Sequence, residues 1–196
     1  KRGLKVLMLE SGNYWPDDRK NDLGKAGQLD TAHHVPLEEG CCRALGGNSY
    51  QWGGRCVPFD PIDFEARPWI ENSGWPISAD AVTRWYADAA GFLRCREDFT
   101  DTPLWPDNGR VRSDTLESWV AYPNIAHVYD DWLKTCADIC VVLDATVVDF
   151  QFDANDARVE AVTIANGSTR TDLPVKTLVV AAGGVQTPRL LLAAQR

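Results

Sequence analysis

The chain has 196 residues, of which 44% are hydrophobic, 24% charged and 10% aromatic, and its formal net charge at pH 7 is −8. This composition supplies enough apolar surface for a packed core and excludes a disordered chain. The sequence has no basic patch of the kind that binds nucleic acid, and no apolar run approaches the ~20 residues of a membrane span. We therefore expect neither a nucleic-acid partner nor a membrane-spanning segment.

The six cysteines are spaced in a way that fits no zinc motif, which needs pairs of closely spaced cysteines on two loops. They are Cys41, Cys42, Cys56, Cys95, Cys136 and Cys140. We therefore expect no metal site. The pattern is typical of free, mostly buried thiols in a reducing compartment, which favours the cytoplasm. Disulfides remain an alternative for an exported protein, and the compartment itself stays undetermined.

The first element is a short apolar strand that ends in an acid. It reads Lys5-Val6-Leu7-Met8-Leu9-Glu10 and is followed by Ser11-Gly12. In a dinucleotide-binding β-α-β unit, the acid at the end of the second strand accepts hydrogen bonds from the hydroxyls of the adenosine ribose. The G-x-G-x-x-G motif that belongs upstream of such a strand is not in this sequence. The pattern alone equally fits an edge strand with a solvated acid.

A glycine-rich segment, residues 43–55, is the second notable feature. Its four glycines and several polar residues indicate a backbone that passes close to a ligand, where stacked N–H groups can hold phosphate oxygens. The alternative is a flexible surface loop. Leu45, Tyr50 and Trp52 argue against it, because such loops rarely carry large apolar side chains.

The middle of the chain predicts irregular and helical structure. Residues 57–76 are rich in proline and aromatics and predict an extended, packed segment. Ser78 is a predicted N-cap, and the helix after it is expected to bury Val82, Trp85, Ala89 and Phe92. Residues 98–118 predict a loop, and residues 125–139 a second helix.

The last third of the sequence predicts β-structure followed by a helix. Strands are expected at 141–143, 145–152, 159–165, 168–172 and 175–182. Asn166-Gly167 predicts a hairpin turn, so these strands form a β-meander before a final buried strand. Thr187 is expected to cap the closing helix, with Pro188 at its first position.

Three features in this order resemble the glucose–methanol–choline family of FAD-dependent oxidoreductases. They are the strand ending in Glu10, the segment R-x-L-G-G-x-S at 43–49, and A-A-G-G-x-x-T-P-x-L-L-L at 181–192. The resemblance implies an α/β fold: an incomplete FAD-binding, Rossmann-like domain of the glutathione-reductase type with a β-meander, plus part of a substrate domain. It assigns 1–60 and 141–196 to the FAD domain and 61–140 to the substrate domain.

The resemblance also implies positions for the cofactor. Glu10 would bind the adenosine ribose, with Ser11 and Gly12 beside adenine. Residues 43–49 would run along the pyrophosphate toward the isoalloxazine ring. The implied cofactor-binding residues are Glu10, Ser11, Gly12, Arg43, Gly46, Gly47, Asn48, Ser49, Trp52, Gly53, Val147 (through its backbone, against adenine), Ala182 and Gly183.

Two positions depart from the common family pattern. Trp52 stands where many alcohol-oxidising members have Asn, which resembles the branch of pyranose oxidase and of bacterial sugar and sugar-acid dehydrogenases. Gln51 stands where pyranose oxidase has a histidine that bonds covalently to the flavin. Because an amide is not nucleophilic, we expect FAD to be bound non-covalently.

The implied reaction is oxidation of a CH–OH group of an alcohol, sugar or sugar acid by hydride transfer to flavin N5. The family's catalytic base is a histidine near the C-terminus, and none of His33, His34 and His127 has a matching context. We therefore expect no catalytic residue here and interpret the chain as an internal fragment that is inactive by itself. The identity of the substrate and of the electron acceptor remains open.

Two alternatives belong to other classes. A non-catalytic interaction protein with a degenerate flavin fold would also lack the upstream glycine motif and the base, but it would be expected to lose the internal motifs as well. Another flavoprotein class, such as a hydroxylase or a succinate-dehydrogenase-like enzyme, would share the strand ending in Glu10. It would not share the segment at 43–49 followed by T-P-x-L-L-L.

Overall fold

The computed structural model describes residues 3–25, 30, 32–96 and 117–194. The chain forms two compact units. The first unit comprises Lys1–Asn48 and Tyr129–Arg196, and the second unit comprises Ser49–Val128. Most of the loop expected at 98–118 lies outside the described residues.

Seven strands and seven α-helices occur in the described ranges, together with short 3₁₀ helices at Asp22–Gly24, Gly47–Tyr50 and Pro61–Phe64. The strands are β1 (Val6–Leu9), β2 (Arg55–Cys56), β3 (Ser118–Trp119), β4 (Ile139–Val142), β5 (Thr146–Phe152), β6 (Val159–Asn166) and β7 (Thr169–Pro174). The helices are α1 (Asp18–Asn21), α2 (Leu37–Gly40), α3 (Ala79–Thr83), α4 (Tyr86–Leu93), α5 (Ile125–Val128), α6 (Asp130–Thr135) and α7 (Gly183–Ala193). None of these helices is long and apolar enough to cross a membrane.

The first unit contains a parallel strand pair and an antiparallel sheet. β1 pairs with β4 in parallel, with Val6 opposite Ile139 and Leu9 opposite Val142. The expected apolar strand that ends at Glu10 is therefore confirmed. Since both strands run the same way, their carboxyl ends meet at one edge, which is where ligands bind in parallel α/β sheets.

The expected β-meander is confirmed in β5, β6 and β7, which pair in that order. Asn166 pairs with Thr169 at the hairpin. Gly167 supplies the positive φ of +58° that this tight turn needs. Phe150 and Val162 are fully buried on one face of the sheet, where Ala194, just after α7, packs against them.

The final buried strand predicted at 175–182 is not present. β7 ends at Pro174, and residues 178–181 pair with no strand among the described residues. Val179 is 81% exposed. A run of apolar residues predicts the capacity for a strand, but a strand forms only where a neighbouring backbone completes its hydrogen bonds.

The closing helix was also predicted to begin too late. α7 begins at Gly183, with Ala182 as the residue before it, and Pro188 lies inside the helix. Thr187 is therefore a helical residue and not the N-cap. The sequence signal was misleading because a proline in the second turn of a helix forfeits a hydrogen bond, so it more often marks the first turn.

The second unit contains β2 paired with β3 in antiparallel fashion, together with α3, α4 and α5. Ser78 caps α3 as expected, and its side chain accepts a hydrogen bond from the Ala81 N–H. The predicted buried stripe is wrong for Trp85 and Phe92, which are more than half exposed, and for Ala89, which is also exposed, while Val82 is partly buried. The helix is interrupted after Thr83, and the break changes which side chains share a face.

The helix predicted at 125–139 is two short helices, α5 and α6, with Tyr129 between them. Ile139 begins β4 and is not helical. In the segment at 57–76 the rings of Phe59, Phe64 and Trp75 contact one another, with centroids 4.9–5.9 Å apart. The expected packing is otherwise wrong, because no residue of the segment is buried and Trp69 is 76% exposed.

Candidate functional site

Glu10 lies at the shared carboxyl end of β1 and β4. Its backbone continues the strand pairing, because the Glu10 N–H donates to Val142 O at 2.9 Å and Glu10 O accepts from the Ala145 N–H at 2.9 Å. Its carboxylate turns back onto the following loop, where Oε1 accepts the Gly12 N–H at 2.7 Å. The strand thus fixes both the position and the direction of the acid.

The surroundings of Glu10 have opposite effects on the pKa of its carboxyl. Burial raises the pKa of this carboxyl above its ordinary value, while the hydrogen bond from Gly12 and the positive charge of Arg43 act to lower it. A carboxylate that has lost part of its water retains a strong demand for hydrogen-bond donors. Glu10 is therefore suited to accept hydrogen bonds from the hydroxyl groups of a ligand.

Gly12 allows the two sequence motifs to meet. A Cβ at this position would lie 2.0 Å from the Arg43 carbonyl oxygen and 2.7 Å from the Ala44 nitrogen. The contact is a short parallel bridge between Asn13 and Ala44, and the Leu45 N–H donates to Asn13 O at 2.9 Å. Only glycine permits this approach, so residue 12 determines where the glycine-rich segment begins its path.

Arg43 connects three parts of the first unit. Its Nη1 donates to Ser11 Oγ at 2.8 Å, and its backbone N–H donates to Asn21 Oδ1 at 2.8 Å. Ser11 Oγ lies 2.9 Å from Thr146 Oγ1 at the start of β5. A continuous hydrogen-bonded chain therefore runs from Arg43 through Ser11 to Thr146.

A second arginine adds positive charge to the same neighbourhood. Burial lowers the pKa of Arg43, and repulsion by Arg189 of α7 lowers it further, while Glu10 acts in the opposite direction. Gln186, one turn earlier on α7, accepts from Arg189 Nη1 through its Oε1 at 3.4 Å. Its Nε2 is buried and has no hydrogen-bond partner in the described part of the chain. This arrangement favours an anionic or acceptor-rich ligand, which would relieve the repulsion and satisfy the amide.

The first half of the glycine-rich segment belongs to the same unit. Gly46 and Gly47 both have positive φ, +100° and +50°, and the Gly47 N–H donates to Ala44 O at 2.8 Å. Asn48 closes this loop on itself, since its side chain accepts from the Cys42 N–H at 2.8 Å and donates to Gly40 O at 3.1 Å.

The second half of the segment belongs to the second unit. The buried Ser49 side chain accepts the Ile125 N–H at 3.1 Å, and Trp52 Nε1 donates to Pro123 O at 2.8 Å. Gly53 is exposed, with φ +71° and no atom near its would-be Cβ. Ser49 and Trp52 therefore have structural partners of their own within that unit.

The remaining expected residues lie on β5 and at α7. Val147 pairs with Ile164, and its side chain packs against the core of the meander. Ala182 and Gly183 are exposed at the beginning of the helix that carries Gln186 and Arg189. Their role toward a cofactor stays a prediction.

The sequence did not predict a role for Thr146, Asn21 or Gln186. Arg189 lies within the motif at 181–192, but the motif gives it no role. The i, i+3 spacing of Gln186 and Arg189 places both on one helix face and was the available signal. Nothing in the sequence marks Thr146 or Asn21, since each contributes through a contact with a distant segment.

Histidines and metal-ligating groups do not form a second site in the described ranges. His33 pairs with the neighbouring Asp30, with Nδ1 2.7 Å from Oδ2. His127 lies in the second unit, where its Nε2 is 3.5 Å from the Tyr50 hydroxyl. No group of three or more His, Cys, Asp or Glu side chains among the described residues is arranged to hold a metal ion.

Comparison with known proteins gives a structural likeness without a sequence match. No protein-family model matches the chain, and no curated protein matches it. Among solved structures, pyridoxine 4-oxidase from Mesorbium loti superposes with a TM-score of 0.57 over 97% of this chain, at 16% sequence identity. The two share a fold.

The likeness extends over part of the larger structure. The chain spans about half the length of this oxidase, 47% of it. At this level of identity the comparison concerns the fold, and it is consistent with the expected α/β class. The assignment of a Rossmann-like FAD domain and of individual binding residues rests on the motifs and the geometry above.

Proposed function

We propose that the chain is part of an FAD-dependent oxidoreductase that oxidises a CH–OH group of a small alcohol, sugar or sugar acid by hydride transfer to flavin N5. The observation that carries this proposal is the meeting of two motifs at one strand end. Glu10, Ser11 and Gly12 from the first motif contact Arg43 and its neighbours from the second. The structural likeness to an oxidase supports the same class of reaction.

The residues present fit the adenosine and phosphate portion of FAD. Glu10 offers a partly desolvated acceptor for the ribose hydroxyls. Arg43 and Arg189 repel each other, and a phosphate between them would attract both guanidinium groups. The buried Nε2 of Gln186 is a donor in need of an acceptor. When bound, FAD supplies a ring system that accepts hydride from the substrate carbon.

The roles of the chain's own residues follow from this placement. Glu10 would fix the ribose, and Gly12 would keep the loop free of a side chain where Arg43 approaches. Ser11 and Thr146 would hold the Arg43 guanidinium in position. We further propose that Ala182 and Gly183 lie beside the ADP moiety and that the Val147 backbone meets adenine.

The finer assignments rest on single positions. Trp52 supports the branch of pyranose oxidase and the bacterial sugar dehydrogenases, and Gln51 supports non-covalent attachment of the flavin. We also propose that residues 61–140 contribute to the substrate domain, that the remainder builds the FAD domain, and that the protein acts in the cytoplasm.

The test measures FAD in the full-length protein that contains this chain. We expect a yellow protein that releases intact FAD on denaturation, as required for non-covalent binding. Glu10→Ala should weaken FAD binding by about 1–3 kcal/mol, roughly 5- to 150-fold in Kd, because hydrogen bonds to a charged acceptor are lost. Retention is measured by flavin absorbance after gel filtration and Kd by fluorescence titration.

The matched control is Glu160→Ala, which removes an exposed carboxylate from β6. It should leave the FAD content unchanged. If Glu10→Ala retains as much FAD as the control, the proposed role of Glu10 is wrong. If the unsubstituted protein binds no flavin, the proposed function is wrong.

A further inference from the structure

Gly24 lies where three segments of the first unit come together. It ends the 3₁₀ helix Asp22–Gly24 and is buried. A Cβ added at Gly24 would lie 3.8 Å from Arg43 Nε and 3.8 Å from Gln186 Nε2. On the side where a side chain would project, Gly24 therefore faces two nitrogen donors, one from the glycine-rich segment and one from α7.

Neither backbone conformation nor crowding requires a glycine at position 24. Gly24 does not belong to the described glycines with positive φ, so a residue with a side chain can adopt its conformation. The two contacts at 3.8 Å are ordinary van der Waals distances, and the described chain brings no closer atom from outside the neighbourhood of Gly24 in sequence. Gly12 differs, because a Cβ there would overlap the Arg43 backbone. The fold by itself thus has room for alanine at position 24.

The hydrogen bonds that hold Arg43 and Gln186 in place use other atoms than these two donors. Arg43 donates through its backbone N–H to Asn21 Oδ1 at 2.8 Å and through Nη1 to Ser11 Oγ at 2.8 Å. Gln186 accepts from Arg189 Nη1 through its Oε1 at 3.4 Å. Gln186 Nε2 is buried and has no hydrogen-bond partner among the described residues. A buried donor in this state costs free energy until an acceptor reaches it.

The chemistry of these groups favours a phosphate. A guanidinium nitrogen and a side-chain amide nitrogen both donate hydrogen bonds, and phosphate oxygens are strong acceptors for which arginine is well suited. Two donors that are each 3.8 Å from one point lie close enough for one phosphate group to contact both. A glycine at that point lets such a group approach the backbone, where a methyl group would occupy the same space.

We propose that Gly24, Arg43 and Gln186 form the subsite for the phosphate groups of the ligand. Gly24 provides the clearance, Arg43 the positive charge, and Gln186 Nε2 a neutral donor. This inference rests on the proposed function, because it takes the ligand to be FAD. ADP carries the same pyrophosphate without the flavin, so it tests the subsite separately from the rest of the cofactor.

The experiment compares Gly24→Ala with the unsubstituted full-length protein that contains this chain, after bound flavin has been released. FAD and ADP are titrated separately by calorimetry. We expect Gly24→Ala to raise the Kd of both ligands by the same factor, about 10-fold or more, because the methyl group crowds the phosphates. The urea midpoint measured without ligand should stay equal or rise, since alanine fits the fold and restricts the unfolded chain.

Two further variants separate clearance from hydrogen bonding. Gly91→Ala is the matched control, because Gly91 lies in α4 and a Cβ there would meet no atom within 4 Å. It should leave both Kd values unchanged. Gln186→Met keeps the approximate shape of the side chain but removes the donor, so it should raise both Kd values by about 10-fold.

The inference is overturned if Gly24→Ala binds ADP as tightly as the unsubstituted protein does. It is also overturned if only FAD binding weakens, because Gly24 would then face another part of the cofactor. A lower urea midpoint for Gly24→Ala would show that the fold itself requires the glycine, which removes the basis of the inference. If the unsubstituted protein binds ADP but no FAD, the proposed function is wrong, and the ADP affinities still decide the role of Gly24.

Discussion

Glu10 combines two opposing demands at a single residue. Its carboxylate must keep hydrogen-bonding capacity for a ligand, yet it lies partly buried at the end of β1, where burial raises its pKa. The Gly12 N–H and the nearby Arg43 compensate in part. Burial of Glu10 therefore lowers the stability of the fold locally, and a ligand with hydroxyl donors would reduce this cost, as is common where binding residues compete with stability.

This cost predicts a pH dependence of the effect of Glu10→Gln. Because the fold raises the pKa of Glu10, the protonated form is favoured in the folded state. The contribution of the Glu10 carboxyl to the free energy of unfolding is fully present below its pKa in the unfolded chain. It is lost as pH rises through its pKa in the folded chain. Gln cannot ionise, so Glu10→Gln does not lose this contribution. We therefore expect the free energy of unfolding of Glu10→Gln, relative to that of the unsubstituted chain, to increase from about pH 4 to about pH 7. Urea unfolding at the two pH values measures this difference.

Glu160→Gln again serves as the matched control, since it alters an exposed carboxyl group in the same unit. The change in urea midpoint that it produces at each pH gives the effect of removing one exposed carboxyl group, against which the Glu10→Gln effect is compared. A Glu10→Gln effect that stays constant, or that shrinks as pH rises, would contradict the proposed environment of Glu10.

The β-meander is the element on which the first unit is built. Phe150 lies directly opposite Val162, which lies opposite Leu173, so one face carries an apolar row across all three strands. The other face carries a polar row. Gln151 Nε2 donates to Thr163 Oγ1 at 3.0 Å, and Thr163 Oγ1 donates to Asp172 Oδ1 at 2.6 Å. The alternation of the strands separates the two rows.

Phe150→Ala should therefore destabilise the first unit by about 3–5 kcal/mol, the usual cost of removing a large buried ring and leaving a cavity. Phe152→Ala, two residues along the same strand, is the comparison. Phe152 is only partly buried, so its loss should cost clearly less. The free energy of unfolding of each variant is measured in urea. Equal losses of stability in Phe150→Ala and Phe152→Ala would show that the core is not centred on Phe150.

The molecule as a whole leaves much apolar surface in water. Val6, Leu7 and Met8 of β1 are 38–45% exposed, and Val179 is 81% exposed. Among the described residues β1 pairs only with β4, so its second edge is open. Exposed apolar surface and open strand edges both promote association, and the net charge of −8 opposes it.

We expect the 196-residue chain to self-associate, and Val179→Thr to raise the concentration at which association begins. Threonine keeps the shape of valine and replaces a methyl group with a hydroxyl, so at this exposed site stability should change by less than about 0.5 kcal/mol. Sedimentation velocity over a concentration series gives the threshold. Val162→Thr, the same exchange in the core, should instead lower stability, and identical association of Val179→Thr and the unsubstituted chain would contradict the prediction.

The sequence by itself determined the features whose causes are local. The strand ending at Glu10, the turn at Asn166-Gly167 and the cap at Ser78 each depend on a few adjacent residues, through backbone conformation or a short-range hydrogen bond. Much of the α/β class and the meander could be predicted for this reason, as could the choice of Glu10 and Arg43 as candidate residues.

The tertiary structure alone decided which segments meet. The contact of Gly12 with Arg43, the support of Ser11 by Thr146 and the approach of Arg189 depend on residues far apart in the chain. Long-range contacts also decided that Trp85 stays exposed and that residues 178–181 form no strand, since burial and strand pairing require a partner that local pattern does not specify. Local sequence limits what each segment can become, and packing between distant segments selects among those possibilities.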